Sequence, residues 1–272
     1  LEAGVVEVVI DQARPNLMYA ASWQRERRDF SFLGGGPGSA IWKSADGGDT
    51  WTRLSAGLPQ GAVGRIGLSV CRSKPDTVYA VIDGFGGAEG GVYRTTDAGV
   101  TWTRRNSVAA SSNYYGQVRC DPTDSERVIF LQTEFSISTD GGATFRQDPM
   151  RSVHVDHHAL WIDPAQPAHA VLGNDGGVMA SWDRGRSWLH MNTIPAGQFY
   201  SVAVDMAEPY NIYGGTQDDA ALYGPSTYTV DDTRNENEAW KHVYLDQWTG
   251  GDSFVTLPDP ADRRYVYYEH QN

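Results

Sequence analysis

Carboxylates, imidazoles and amides gather in a few short runs of this 272-residue chain. The densest is His154-Val155-Asp156-His157-His158, followed by Asn174-Asp175-Gly176-Gly177. Gln217-Asp218-Asp219 and the run from Trp248 to Asp252 come later; Arg65 and Tyr115 stand earlier. Three chemistries suit these residue types. Glycoside hydrolysis needs two facing carboxylates about 5–9 Å apart, and Asp156, Asp175 and Asp218 are the candidates for that acid–base work. A divalent cation needs convergent imidazoles and carboxylates. In an extended strand His154, Asp156 and His158 would share one side, with His157 on the other. No cofactor is expected otherwise, with calcium on loop carboxylates and carbonyls as the second metal reading. The third chemistry is binding of a glycan or peptide by His154, His157, His158, Asn174, Gln217, Asp219, Trp248, Asp252, Tyr115 and Arg65. Against all three stands a plainer reading, in which polar residues at crowded strand ends hydrogen-bond one another and water. No nucleophilic Ser or Cys motif, phosphate-cradling loop or dinucleotide fingerprint is present.

The elements that must position these residues are announced by a repeat. Ser44-Ala45-Asp46-Gly47-Gly48-Asp49-Thr50-Trp51 returns from Thr95 to Trp102, from Ser138 to Phe145 and from Ser181 to Trp188. Each copy reads as a tight turn whose Asp accepts backbone N–H groups and whose glycines supply positive φ. As turn formers these aspartates are expected to be catalytically silent. A second signal alternates with the first: a strand ending in Asp or Cys, usually a Pro four residues on, then a Tyr or aliphatic. The copies are Asp11/Pro15/Tyr19, Cys71/Pro75/Tyr79, Asp121/Ser125/Ile129, Asp163/Pro167/Val171, Asp205/Pro209/Tyr213 and Pro258/Asp262/Val266.

Two alternating turn signals at a period of about 42 residues imply four strands per unit, A to D. Such a unit is a β-propeller blade, which cannot bury both faces alone and must stack on others around an axis. The fold expected is therefore all-β: antiparallel four-stranded blades over residues 1–57, 58–107, 108–150, 151–193 and 194–248, with a partial sixth over 249–272. The fifth lacks an acidic turn between Gly224 and Glu238 and takes its D strand from Trp240 to Val243. The first carries a long B–C insertion, Ser22 to Ser39. In this topology the loops leading into A and the B–C loops share one face, and the acidic turns lie on the other. The candidate residues then fall on the first face, chiefly in blades four to six.

Bulk composition agrees. Thirty glycines, 9 Trp and 14 Tyr suit many short strands and tight turns. A net charge of −12 argues against nucleic acid as a partner. No apolar run of about 18 residues encodes a membrane span. Both ends fall in strands, which suggests a piece of a longer polypeptide and more blades than are present. Cys71 and Cys120 end neighbouring inner strands, either as a disulfide or as two buried thiols.

With both repeats in hand, the chain resembles the Asp-box (bacterial neuraminidase repeat) propellers. It is most similar to the large bacterial proteins labelled glycosyl hydrolase or sortilin N-terminal. The runs that carry the likeness are Gly34 to Ser39, Ser44 to Trp51, Gly64-Arg65-Ile66-Gly67, His158 to Pro164, Gly173 to Gly177 and Tyr213 to Asp218. The resemblance implies an exported protein, extracellular or periplasmic. A sialidase would need an arginine trio and an Arg-Ile-Pro-like stretch; Arg65-Ile66-Gly67 has no Pro, and that activity is not expected. The expectation is a propeller that binds glycan or protein segments. The alternatives are a glycoside hydrolase with an Asp acid–base pair, or a structural subunit docked against neighbouring subunits or the rest of a longer chain.

Overall fold

The computed structural model describes residues 3–108, 114–148, 153–191, 197–218, 220–227, 240–243 and 251–271. All regular elements among them are β-strands, so no helix is long and apolar enough to cross a membrane. The chain divides into two compact units, Leu1–Met191 and Asn192–Asn272.

The first unit is a succession of four-stranded antiparallel sheets. Sheet one holds β1 (Gly4–Ile10), β2 (Met18–Trp23), β5 (Ala40–Ser44) and β6 (Thr52–Arg53). The B–C insertion between β2 and β5 forms its own hairpin, β3 (Glu26–Arg28) and β4 (Ser31–Leu33). Sheet two holds β7 (Val63–Val70), β8 (Val78–Gly84), β9 (Gly91–Thr95) and β10 (Thr103–Asn106). Sheet three holds β11 (Gln117–Cys120), β12 (Val128–Leu131), β13 (Phe135–Ser138) and β14 (Arg146–Asp148). Sheet four holds β15 (His157–Ile162), β16 (Ala170–Asn174), β17 (Gly177–Ser181) and β18 (Leu189–His190). Within each sheet the strands pair in chain order, so the A, B, C and D strands are neighbours throughout.

Strands covered on both faces read as continuous apolar runs. Thus β12, Val-Ile-Phe-Leu, is buried along its whole length, and β8 is buried up to its last residue. Residues of successive sheets share cores: Tyr19 and Ile41 with Leu68 and Val78, Tyr79 and Val81 with Val118 and Phe130, Leu131 and Phe135 with Leu160 and Leu172. Each such side chain contributes about 1.5–3 kcal/mol of burial. Two tyrosines also cross between sheets by hydrogen bonds, Tyr19 to the Ala98 carbonyl at 2.9 Å and Tyr79 to the Ser125 carbonyl at 2.7 Å.

The acidic turns are built alike. In the first, the Thr50 N–H donates to Asp46 Oδ1 at 2.9 Å, the Thr50 hydroxyl to Oδ2 at 2.5 Å and the Ser44 hydroxyl to Oδ1 at 2.7 Å. Asp97, Asp140 and Asp183 hold the same partners, so each carboxylate is consumed within its own turn. These hydrogen bonds, led by the Thr or Ser hydroxyl, hold the four carboxyls down to about 2.

The A–B turns also share one pattern. The N–H of Asp11, Cys71, Asp121, Asp163 and Asp205 donates to the carbonyl six residues on, at 2.9–3.2 Å. The last copy departs from the expected register. Asp259 makes that bond to Tyr265, at 3.0 Å, and caps the Ala261 N–H at 2.8 Å. Tyr267, bonded to Asp259 Oδ2 at 3.0 Å, is then the repeat's aromatic residue. The repeat spacing places Pro258 and Val266 in those positions. Proline has no N–H to donate, and the turn is marked instead by the carboxylate that caps it. The two cysteines are joined, with Cα atoms 5.4 Å apart, linking the ends of β7 and β11.

The second unit holds one further four-stranded sheet, β19 (Phe199–Val204), β20 (Asn211–Thr216), β21 (Ala221–Pro225) and β22 (Lys241–Val243). A two-stranded pair follows, β23 (Thr256–Pro258) and β24 (Val266–Tyr268).

Candidate ligand-binding site

In the first unit, the segments leading into strand A and the B–C loops of sheets three and four come together, with Arg65 of β7 beside them. Tyr115, ahead of β11, donates its hydroxyl to Asp156 in a short hydrogen bond. Its ring lies 5.5 Å from the His158 ring, and His158 Nε2 is 2.7 Å from Asp175 Oδ1 in the turn between β16 and β17. Tyr114 projects beside it, 58 % exposed, and its carbonyl accepts from Arg65 of β7 at 2.9 Å. Two carboxylates, an imidazole, two phenols and a guanidinium thus share one end of three sheets.

The local backbone explains the placement. Asp156 takes φ 65°, a left-handed conformation that Asp tolerates better than bulkier residues. The Asp156 and His157 N–H groups donate to the Thr133 and Gln132 carbonyls of the neighbouring sheet, both at 3.1 Å. The strand therefore starts at His157, not at His154, and the expected alternation fails. His157 is buried, at 3 % exposure, edge-on to Phe135 with ring centroids 5.8 Å apart, whereas His158 faces Asp175. His154 sits apart: its carbonyl accepts from Asn174 Nδ2 at 2.8 Å, and a Cβ on Gly176 would come within 2.4 Å of its own. His154, Asp156 and His158 consequently each serve a different neighbour. No group of three metal-ligating side chains stands ready for a cation among the described residues.

Burial sets the protonation states. The His157 imidazole is pushed down to about 4 by desolvation, so it is neutral at ordinary pH. Its Nδ1 and the Asn174 Oδ1, on residues directly opposed across β15 and β16, are both buried without a hydrogen-bond partner among the described residues. Burial first, then the hydrogen bond to Asp156 and the charges of Asp156 and Asp175, raise the Tyr115 phenol well above its usual range. It stays a donor at every physiological pH.

In the second unit the corresponding segments also meet. The Gln217 N–H donates to the Gln198 carbonyl at 3.0 Å, and the Asp218 N–H to Asp252 Oδ1 at 3.0 Å. Asp252 Oδ2 accepts from Tyr200 at 3.1 Å, which ties the carboxylate into the local scaffold. Asp219 and Trp248 lie outside the described residues. The candidate residues are thus divided between the units, with Gln217, Asp218 and Asp252 in the second and the His–Asp–Tyr group in the first.

Sequence reasoning passed over two features of the first unit. Inner strands β1, β7, β11 and β15 line a cavity of about 520 Å³, spanned by an Arg119–Glu7 ion pair at 3.0 Å. At the end of β15 nearer the turns, His169 stacks on Trp182 at 5.6 Å and meets Trp161 edge-on. The available signal was Trp182 itself, which replaces the Ala or Thr of the other acidic turns.

No protein-family model matches the chain, and no curated protein does. Among solved structures, YCF48 from Cyanidioschyzon merolae is similar at 14% identity and TM-score 0.47, over 98% of this chain and 79% of that one. An ancestral GH74 enzyme is similar at 14% and 0.49, covering 96% of this chain but 34% of its own length. A nidogen/laminin complex matches at 12% and 0.40, over 76% and 70%. The repeated four-stranded antiparallel sheets described above are themselves consistent with a β-propeller. At such identities and scores the likenesses assign no activity.

Proposed function

We propose that this chain belongs to an exported β-propeller of the Asp-box type that binds glycan or protein segments through the loops leading into strand A and the B–C loops. The carrying observation is the linked pair of contacts in the first unit, Tyr115 to Asp156 and His158 to Asp175, with the two rings 5.5 Å apart beside exposed Tyr114. Fixed carboxylates accept hydroxyl or amide donors, and the aromatic faces give a sugar ring or side chain a surface to stack on. Export agrees with the Cys71–Cys120 disulfide, which persists in oxidising compartments.

A glycoside hydrolase with Asp156 and Asp175 as its carboxylates is the second reading. Its support is that Asp156 and Asp175 are joined through Tyr115 and His158, whose rings lie 5.5 Å apart. One experiment separates the two. The full chain is screened on glycan and peptide arrays and for polysaccharide hydrolysis, alongside Asp175→Asn. Binding without turnover, weakened by the substitution, supports the binding reading; turnover abolished by it supports the hydrolase; neither binding nor turnover overturns both.

A further inference from the structure

We propose that the β3–β4 hairpin and Arg65 extend this site to take an acidic peptide segment, carboxylates against Arg25 and Arg65 and an apolar side chain against Phe30 and Phe32. The inference rests on the binding reading above and names the ligand's chemistry. Its basis is a cluster of positive charge with no carboxylate in ion-pair contact among the described residues. The Arg25 guanidinium lies 5.1 Å from the Trp23 ring and 5.6 Å from Phe32, and Arg65 covers the same Trp23 at 5.7 Å. Neither arginine, nor Arg27, pairs with a carboxylate among the described residues. Arg25 and Arg27 are exposed, but Arg65 is half-buried, and other half-buried arginines of this unit are paired: Arg94 with Glu126, Arg119 with Glu7, Arg127 with Asp121.

Two nearby acids, Glu26 and Glu7, are committed elsewhere. Glu26 pairs with Arg28 on the hairpin, and Glu7 is held by Arg119 at 3.0 Å and by the Leu68 N–H at 2.7 Å. Asp29 shares the turn between β3 and β4 with Phe30, at the end of the hairpin away from Arg25, so the ligand's apolar side chain and not its carboxylate belongs there. Arg65 is half-buried; burial pulls its pKa down, and Arg25 adds repulsion against a partly offsetting Glu7. The chain has 34 acidic against 22 basic residues, so a counter-charge was abundantly available in composition and is withheld here. The Trp23 face compensates part of the cost. A ligand carboxylate supplies the rest, through the planar donors that guanidinium groups offer.

The apolar surroundings choose a peptide over an acidic polysaccharide. Phe30 is 86% exposed at the hairpin tip, and Phe32 and Leu33 are exposed beside it. A sugar ring could stack on one of these rings, whereas a peptide alternates carboxylates and apolar side chains along one strand and so meets the arginines and the whole apolar patch together. The hairpin is a two-stranded sheet of its own, so its edges are open to main-chain pairing with an extended segment.

Fluorescence anisotropy with the full chain tests this, using a fluorescein-labelled peptide of alternating Glu and Leu. A Lys–Leu peptide and polygalacturonate serve as comparators. The Glu–Leu peptide should bind, more weakly as salt is raised. Arg25→Gln and Phe30→Ser, both in the exposed hairpin, should each weaken it about tenfold or more. Arg186→Gln, in the fourth acidic turn, should leave it unchanged. Three outcomes overturn the inference: polygalacturonate binding in place of the peptide, equal binding by the Lys–Leu peptide, or indifference to both hairpin substitutions. Array ligands that still respond to Asp175→Asn but not to Arg25→Gln would sink this inference and leave the binding reading standing.

Discussion

Two side chains decide how the site behaves. His157 is held neutral by burial, its folded value near 4 against an ordinary 6.5. The unfolded chain therefore binds a proton that the folded one refuses between those values. Stability attributable to this group is constant above about pH 6.5, falls as pH drops toward 4, and levels below. The loss is about 3 kcal/mol. Urea unfolding at a series of pH values should show the slope, and His157→Phe, which can pack against Phe135, should remove it. A slope that survives the substitution would place the titration elsewhere. Tyr115 is the complementary case, a phenol that remains a donor. Tyr115→Phe deletes the hydroxyl that Asp156 accepts. It should cost about 1 kcal/mol of stability and about tenfold in ligand affinity. Full affinity in the variant, measured by calorimetry with an array-derived ligand, would remove Tyr115 from the site.

The turns are the elements that sequence describes best, because each is closed by its own residues. Asp46, Asp97, Asp140 and Asp183 meet donors within four positions along the chain. Their carboxyls sit near 2 when folded, below the ordinary 3.8. The sign follows directly: the turns' contribution is complete above about pH 4 and is lost as pH falls through 2. Acid titration followed by circular dichroism should therefore show cooperative loss of structure in that window. Asp97→Asn should move it toward higher pH; no displacement would mean that the turn is held by its backbone alone. Space is as demanding as charge in these turns. Gly99 has φ 86°, and an added Cβ would press Leu54 at 3.1 Å and Tyr19 at 3.2 Å. Gly99→Ala should destabilise by more than 1 kcal/mol in chemical denaturation. The A–B turn at Asp259 was misread by one position for the opposite reason: Pro258 imitates the motif in spelling, while the capping carboxylate one residue later does the holding.

At the scale of the molecule, legibility falls as contacts become longer in range. The alternating turns revealed the all-β class and the A-to-D order of strands, since both follow from local hydrogen bonding. They did not reveal that Tyr115 would meet Asp156, because that contact joins different sheets and depends on the positive φ at Asp156. Nor did spacing alone decide between a disulfide and two thiols. Cys71 stands where five other A–B turns hold Asp11, Asp121, Asp163, Asp205 and Asp259, so its turn lacks the capping carboxylate. The covalent link to Cys120, 49 residues on, takes the place of that local cap with a tie between the inner strands of two sheets. Closing a loop of that length removes unfolded-state freedom worth about 4 kcal/mol. Reduction, or Cys71→Ala with Cys120→Ala, should therefore lower the urea midpoint sharply. Amide exchange should quicken first in β8 and β12, whose residues Tyr79, Val81 and Phe130 share a core with Cys71. Restoring the cap with Cys71→Asp in the Cys120→Ala background should return about 1 kcal/mol, because Asp can again receive the turn's own N–H groups. An unchanged midpoint on reduction would mean that packing across sheets two and three holds the strands without the bond.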